Sequence, residues 1–385
     1  MSWRNPHMKS MIALIIVLIL CGGVYVCHAA DFRVETGANF DWWADSKESN
    51  ARQVFLPLGL QGAFDDFSVT LLTAYADTHL DITGQDSTSL GHMLDTKLIT
   101  SYEIIGKLPV DIIVGLDFNL PTGKTNLSQK QLNLIMDPDL ISINNYGEGF
   151  DVNLTLALAK EWGNWVAGIG FGDLWRGGYD FCSDINITDY KPGDIFNINA
   201  EIRYYISPDL HIRLCGKQAW YDKDTVKGAD FYQEGDFTLF GLGFNYNKMK
   251  KWEAGMAFQG ILRGKSQFQN IPGTLNDEPY NSHGDEWICD LSFRYLLNET
   301  TALRTLLQGR YYTKNEYSSY LPSYIGMREK LSLGIGATKS LTPQIEAGLD
   351  VKGFLKHDDE SNFPVIQSPR DYHGVSVLMM VAGTF

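Results

Sequence analysis

Two short strings carry the residue types of a phosphate cradle. PTGKT at 121–125 and RGKS at 263–266 set a lysine and a hydroxyl after a glycine, where backbone amides and an ammonium could gather phosphate oxygens. The spacing fails in both, because the glycine that opens such a loop would have to stand at Phe118 or Gln259. A strand running into a loop accounts for either string.

Other chemistry is equally thin. The histidines after residue 30 are His79, His92, His211, His283, His357 and His373, with no HExxH pair, and no GxSxG nucleophile elbow is present. His211, beside Arg213, reads as a residue on a charged strand face and not as a general base. Cys182, Cys215 and Cys289 form an odd, scattered set with neither a disulfide framework nor metal-ligand spacing. No catalytic residue, metal site or cofactor is therefore expected. An enzyme assembling Ser, His and Asp from separate strands stays open as an alternative.

Residues 1–30 read as a secretory signal: Arg4 and Lys9, the apolar MIALIIVLIL, then Cys27 and Ala29 as small residues at a cleavage point. The charge of −14 becomes −16 without Arg4 and Lys9, since the first 30 residues hold no Asp or Glu, and so acidic a chain is excluded as a nucleic-acid binder. After residue 30 no run approaches the roughly 18 apolar residues of a membrane helix. Residues 31–385 instead alternate with period two. In 32–42, Phe32, Val34, Phe40 and Trp42 fall on one side and Arg33, Glu35, Asn39 and Asp41 on the other. In 94–104, Leu94, Leu98 and Tyr102 oppose Asp95, Lys97 and Glu103.

Sixteen such segments can be counted, with fourteen as the alternative. Seven tight turns and eight longer polar loops alternate between them, the pattern of an up-and-down barrel with both termini on the short-turn side. A soluble sandwich shares the periodicity, but three features favour a transmembrane barrel. Trp42, Trp165, Trp175, Trp220, Trp252 and Trp287 lie on the apolar face near strand ends, as an interfacial girdle would. The opposite faces are too charged for a sandwich core. The last segment alternates Val375, Val377, Met379 and Val381 up to a terminal Phe385.

That ending resembles the assembly signal of bacterial outer-membrane barrels, which implies a Gram-negative outer membrane reached through the periplasm, with outer-membrane lipid and the barrel-assembly machinery as partners. GLDFNLPTGK at 115–124 resembles the outer-membrane family labelled MetA pathway of phenol degradation. This resemblance implies a porin-like or transporter role and brings no catalytic residues.

The lumen can be sketched from the polar faces. Asp95, Glu103, Asp111, Asp117 and Asp151 would form an acidic wall; Arg294, Arg304, Arg310 and Lys330, joined by Arg203, Arg213 and Lys217, a basic one. The 121–148 loop, apolar in its middle (LNLIMDPDLISI), would fold into the mouth. The expectation is a passive channel for small solutes, not an enzyme, constricted by that third long loop and by a field between opposed charges. A homotrimer is expected by analogy with porins. The alternatives are a transporter for apolar or aromatic compounds, favoured by inward Phe55, Tyr205, Tyr221, Tyr312 and Phe354, and a barrel enzyme or structural protein.

Overall fold

Each segment expected from the alternation is a strand in the computed structural model, which describes residues 30–184, 189–248, 251–271 and 273–385. The export signal lies, but for its last residue, outside them. The strands are β1 (Ala30–Asp45), β2 (Asn50–Phe64), β3 (Phe67–Asp81), β4 in two pieces (Thr88–Met93 and Thr96–Ile104), β5 (Asp111–Leu120), β6 (Asp151–Trp162), β7 (Trp165–Arg176) and β8 (Ile195–Ser207). They continue as β9 (Leu210–Tyr221), β10 (Phe237–Lys248), β11 (Trp252–Arg263), β12 (Glu286–Asn298), β13 (Thr301–Tyr312), β14 (Arg328–Ser340), β15 (Ile345–Asp358) and β16 (Arg370–Thr384). All sixteen pair antiparallel with their sequence neighbours, and β1 pairs with β16 from Arg33 against Thr384 to Asp45 against Tyr372. The sheet is closed and has no edge to template another chain.

One end of the barrel is made of tight turns. Asp65 (φ 51°) and Gly163 (φ 57°) supply the positive φ that a two-residue turn needs to match the twist of its strands. The other end carries the long connections. Three of these build a second small sheet from Tyr190–Lys191, Lys223–Val226, Ala229–Gln233, Gln267–Ile271 and Thr274–Asp277.

Facing follows the dyad. On β14, Leu331, Leu333 and Ile335 are 54, 58 and 59% exposed outside, whereas Lys330 and Ser332 are buried inside. So much contiguous apolar surface is the mark of a lipid-facing wall. Aromatic pairs rim it at both ends. Phe196 stacks on Trp220 at 5.8 Å toward the loops, and Trp165 lies 4.5 Å from Tyr204 at the turns.

One strand departs from the expected facing. Within β4 the register against β3 slips by one residue between Met93 and Lys97, a bulge at Leu94–Asp95. Leu94, expected outside, packs against the buried interior cluster, and Asp95 beside it also reaches inward. A bulge re-aims a side chain in this way, and this one aims Asp95 at the longest loop.

Candidate functional site

The 121–150 connection is a strap laid across the inside of the barrel, and Asp95 clamps its neck. The Asp95 carboxylate accepts from the amide of Gly123 at 2.8 Å, from the amide of Glu148 at 2.7 Å and from Asn119 Nδ2 at 2.8 Å, so one side chain ties both ends of the loop. Gly123, the glycine of the Pro-Thr-Gly-Lys string, is needed there, because a β-carbon would be driven into the Tyr146 carbonyl oxygen. Thr122 Oγ1 donates to the Leu94 carbonyl at 2.9 Å.

Beyond the neck, polar side chains of β1–β4 replace the ladder that the loop backbone lacks. Gln53 donates from Nε2 to the Ile143 carbonyl (2.7 Å) and accepts from the Ile143 amide at Oε1 (2.8 Å), which satisfies both groups of a buried peptide. Asp41 Oδ2 accepts from the Ser142 amide at 2.9 Å, and Asn39 Nδ2 donates to Ser142 Oγ at 2.8 Å. The Tyr146 hydroxyl donates to Thr78 Oγ1, and burial pushes the phenol up to about 12, so it remains a neutral donor. Leu134, Met136, Leu140, Ile141 and Tyr146 are buried against Trp43, Ala51, Ala76, Leu80 and Leu90 of the wall. Each such leucine or isoleucine gains about 2 kcal/mol over an exposed position.

The far side of the strap is held by charge. Asp139 lies 2.8 Å from Arg310 and 3.5 Å from Lys330, and its carbonyl accepts from Lys330. Asp137 lies 3.2 Å from Arg328 and 3.2 Å from Lys356. Burial alone would raise the Asp137 pKa, but Lys356 and Arg328 outweigh it and hold the carboxyl below its usual range. Four cations of β13–β15 thus grip two carboxylates of one apolar loop.

The predicted site residues are placed as follows. On the acidic side, Asp95 is the neck clamp. Asp111 accepts from the Gly106 amide at 2.7 Å, Asp151 from the Gly177 amide at 3.1 Å and Asp117 from Asn153 at 3.0 Å. Glu103 shares the inward parity of Ser101 near the turn end. On the basic side, Glu201 sits against Arg203 and 3.7 Å from Arg213, Glu253 is 3.4 Å from Arg294, and Asp350 takes two bonds from Arg304, one of 2.7 Å from Nε. Arg310 and Lys330 hold the strap. Lys217 faces inward, exposed, without a carboxylate partner among the described residues.

Most of the charges expected to stand in opposed rows are thus paired within a wall or with the strap. Neighbouring positions of a pleated sheet are only about 5 Å apart, so a long arginine meets a carboxylate of its own wall long before one across the lumen. Phe385 closes the seam: its amide donates to the Phe32 carbonyl at 2.8 Å. Of the inward aromatics, Phe55 and Tyr221 line cavities, Tyr205 rests on His211 at 5.2 Å, and Phe354 and Tyr312 lie under Lys330 and Arg328.

Space remains where the strap does not reach. A cavity of about 1000 Å³ runs from the underside of Ser142 to the turns, bordered by Arg203, Arg213, Arg294 and Arg304. A second, of about 570 Å³, lies toward the loops among Lys97, Asp117, Asn197 and Lys217. A third, of about 420 Å³, adjoins Phe55, Leu72 and Leu94. Outside the barrel wall, Ser266 Oγ lies 3.3 Å from His283 Nε2, but Ser266 is fully buried and Glu234 approaches the same Nε2, at 4.0 Å. A nucleophile relay needs the acid on the other ring nitrogen. Among the described residues no group of three or more His, Cys, Asp or Glu could hold a metal ion.

Asn39 and Asp41, read only as part of a polar face, and Gln53, Asp137, Asp139, Arg328 and Lys356 were not singled out as site residues. The signal that could have found the last four was the Asp-Pro-Asp at 137–139 inside an otherwise apolar loop, facing strand ends rich in unaccounted cations.

No family model and no curated protein matches the sequence, so the family suggested by GLDFNLPTGK rests on those residues alone. Several solved structures of outer-membrane porins and channels are similar in architecture. An anion-selective porin from Comamonas acidovorans is 14% identical, with a TM-score of 0.43 over 93% of this chain and 99% of that one. The toluene transporter TodX of P. putida is 9% identical, with a TM-score of 0.43 over 94% and 91%. An outer membrane channel from Pseudomonas putida F1 is 10% identical, with a TM-score of 0.39 over 94% and 98%.

Proposed function

We propose that this chain is a channel of the Gram-negative outer membrane through which small solutes diffuse passively, narrowed by the 121–150 strap, and that it has no catalytic role. The observation that carries this reading is the asymmetric seating of the strap. It is fixed to β1–β4 by hydrogen bonds and to β13–β15 by ion pairs, while the sector from β5 to β11 keeps wet, charged side chains and the 570 Å³ cavity, and the 1000 Å³ cavity runs on beneath the strap toward the turns. A plug would meet the whole circumference; a strap on one side sets a diameter. Charged side chains along the open side hold water in the path, which suits small polar solutes.

The test is conductance. The folded protein in planar bilayers should give stable ionic steps, and a folded barrel that gives none ends the channel reading. The native thiol of Cys215 adds a check: it shares the inward parity of Arg213 and Lys217, opposite Glu201, whereas Cys289 points outward and Cys182 is buried. A bulky charged thiosulfonate should shrink the step in the native protein and leave a Cys215→Ser variant unchanged.

A further inference from the structure

The lower lumen is not polar all round. On β16 and β2–β4 the inward residues include Leu378, Met380, Phe55, Pro57, Leu72 and Leu94, with Arg33, Glu35, Asp95 and Lys97 at the margin of this patch, and Leu72 is 41% exposed to the interior. A lumen that served only water and ions would carry polar groups at these positions, as barrel interiors usually do, and apolar area left wet costs free energy in proportion to its extent. Across the barrel lies the opposite character. β2 and β9 are seven strands apart in a ring of sixteen; Arg203 and Arg213 stand on β8 and β9, and Arg294, Arg304 and Lys352 continue the cationic lining over β12, β13 and β15.

That wall has a surplus of positive charge in a chain whose overall charge is negative. Three carboxylates, Glu201, Glu253 and Asp350, pair with four of the five cations, Glu201 serving two guanidinium groups; Asp209 also borders the cavity, and Lys352 has no carboxylate partner among the described residues. The 1000 Å³ cavity is itself lined by Phe55 and Leu378 as well as by the cations, and Phe55 also borders the 420 Å³ cavity. Cavities of this size enclose small organic ligands.

We propose that this space selects amphipathic anions: molecules with one carboxylate-like group on a compact apolar body, the anion held by the Arg203–Arg213 side and the body resting on Phe55 and its apolar neighbours. The inference rests on the channel reading and adds its substrate class. Neither wall suffices alone. A bare inorganic anion gains nothing from Phe55, and an apolar cation meets the wrong sign of charge.

The test uses the full-length protein in planar bilayers, with cyclohexanecarboxylate, acetate and cyclohexylammonium added as blockers of potassium chloride current. Cyclohexanecarboxylate should half-block at a concentration about tenfold below the other two, the gain expected from burying part of one ring. Phe55→Ser and Arg213→Gln, each checked for the heat-modifiable mobility of a folded barrel, should each erase most of that advantage, and Phe55→Leu should keep it. Equal block by the three compounds, or an advantage that survives both substitutions, overturns the proposal while leaving the channel intact. Absence of any chloride current from a folded barrel sinks both readings together. If a variant fails to fold, the three-compound comparison on the native protein still decides.

Discussion

Strands β14 and β9 carry the same alternation and meet different interiors. Outside they are alike, with Leu333 of β14 58% exposed and Leu214 of β9 53% exposed. Inside, Lys330 and Ser332 of β14 are sealed beneath the strap, while Lys217 of β9 stands exposed in the lumen. Local pattern therefore decides which way a side chain points, but a segment nearly two hundred residues away in sequence decides whether it meets water or protein. The difference between the two walls is the strap, and each experiment below removes or preserves that difference.

The largest effect should come from removing the cause. Excision of residues 127–142, joined by a short glycine linker, should leave the barrel folded, because all sixteen strand pairings lie outside the loop, and should raise single-channel conductance several-fold as Lys330 and Ser332 become wet like Lys217. Unchanged conductance would show that the strap does not narrow the path. A smaller intervention is Asp139→Asn. It leaves Arg310 and the buried Lys330 without their counter-charge, and breaking a buried pair from one side costs about 3–5 kcal/mol. The far side of the strap should then detach intermittently, read as noise between two conductance levels, whereas Lys217→Gln should add no such noise.

How far the sequence reaches is visible in these same residues. Strand number, closure and, outside the Leu94–Asp95 bulge, facing were legible, since period two and turn spacing are local properties. The identity of the anchors was not. Nothing local says that Gln53 will satisfy the peptide at Ile143, ninety residues on, or that Arg310 meets Asp139 from 171 residues away. The Leu94–Asp95 bulge hid for a different reason: one extra residue flips the parity, so Leu94 reads as outward from the lower half of β4 and sits inward in fact. The pairing within each wall was not legible either, because charges were assigned to walls without asking which carboxylate each arginine could reach.

If the strap alone separates the two walls, their outer faces should be equivalent. Leu333→Arg and Leu214→Arg should each destabilise the folded barrel by about 2–4 kcal/mol where the residue lies near the bilayer midplane, and the two costs should agree within measurement error in lipid folding titrations. A large disagreement would mean that one wall is covered outside as well, by another protein chain.

The smallest effect is one of pH, and it separates the two arms of the strap's grip. Asp137 has its pKa lowered: burial raises it, but Lys356 and Arg328, each 3.2 Å away, more than compensate, and the Asp139 amide adds a bond of 2.9 Å. A carboxyl whose folded value is depressed contributes stability that is fully present above its unfolded value, about 3.9, and is lost as pH falls through the lower, folded one. The ionic arm should therefore hold unchanged from neutral pH down to about 4 and loosen only below it. Within the hydrogen-bonded arm the bonds from Gln53, Asn39 and Thr78 involve no titrating group, but Asp41 and Asp95 are carboxylates, so it is the Asp137→Asn comparison that separates the two arms. Conductance noise recorded from pH 7 to 3 should stay flat and then grow in the acid limb. Asp137→Asn should carry that noise at every pH while the hydrogen-bonded arm keeps the mean conductance well below that of the excised barrel. A transition near pH 6 would point instead to a histidine and remove Asp137 from the latch.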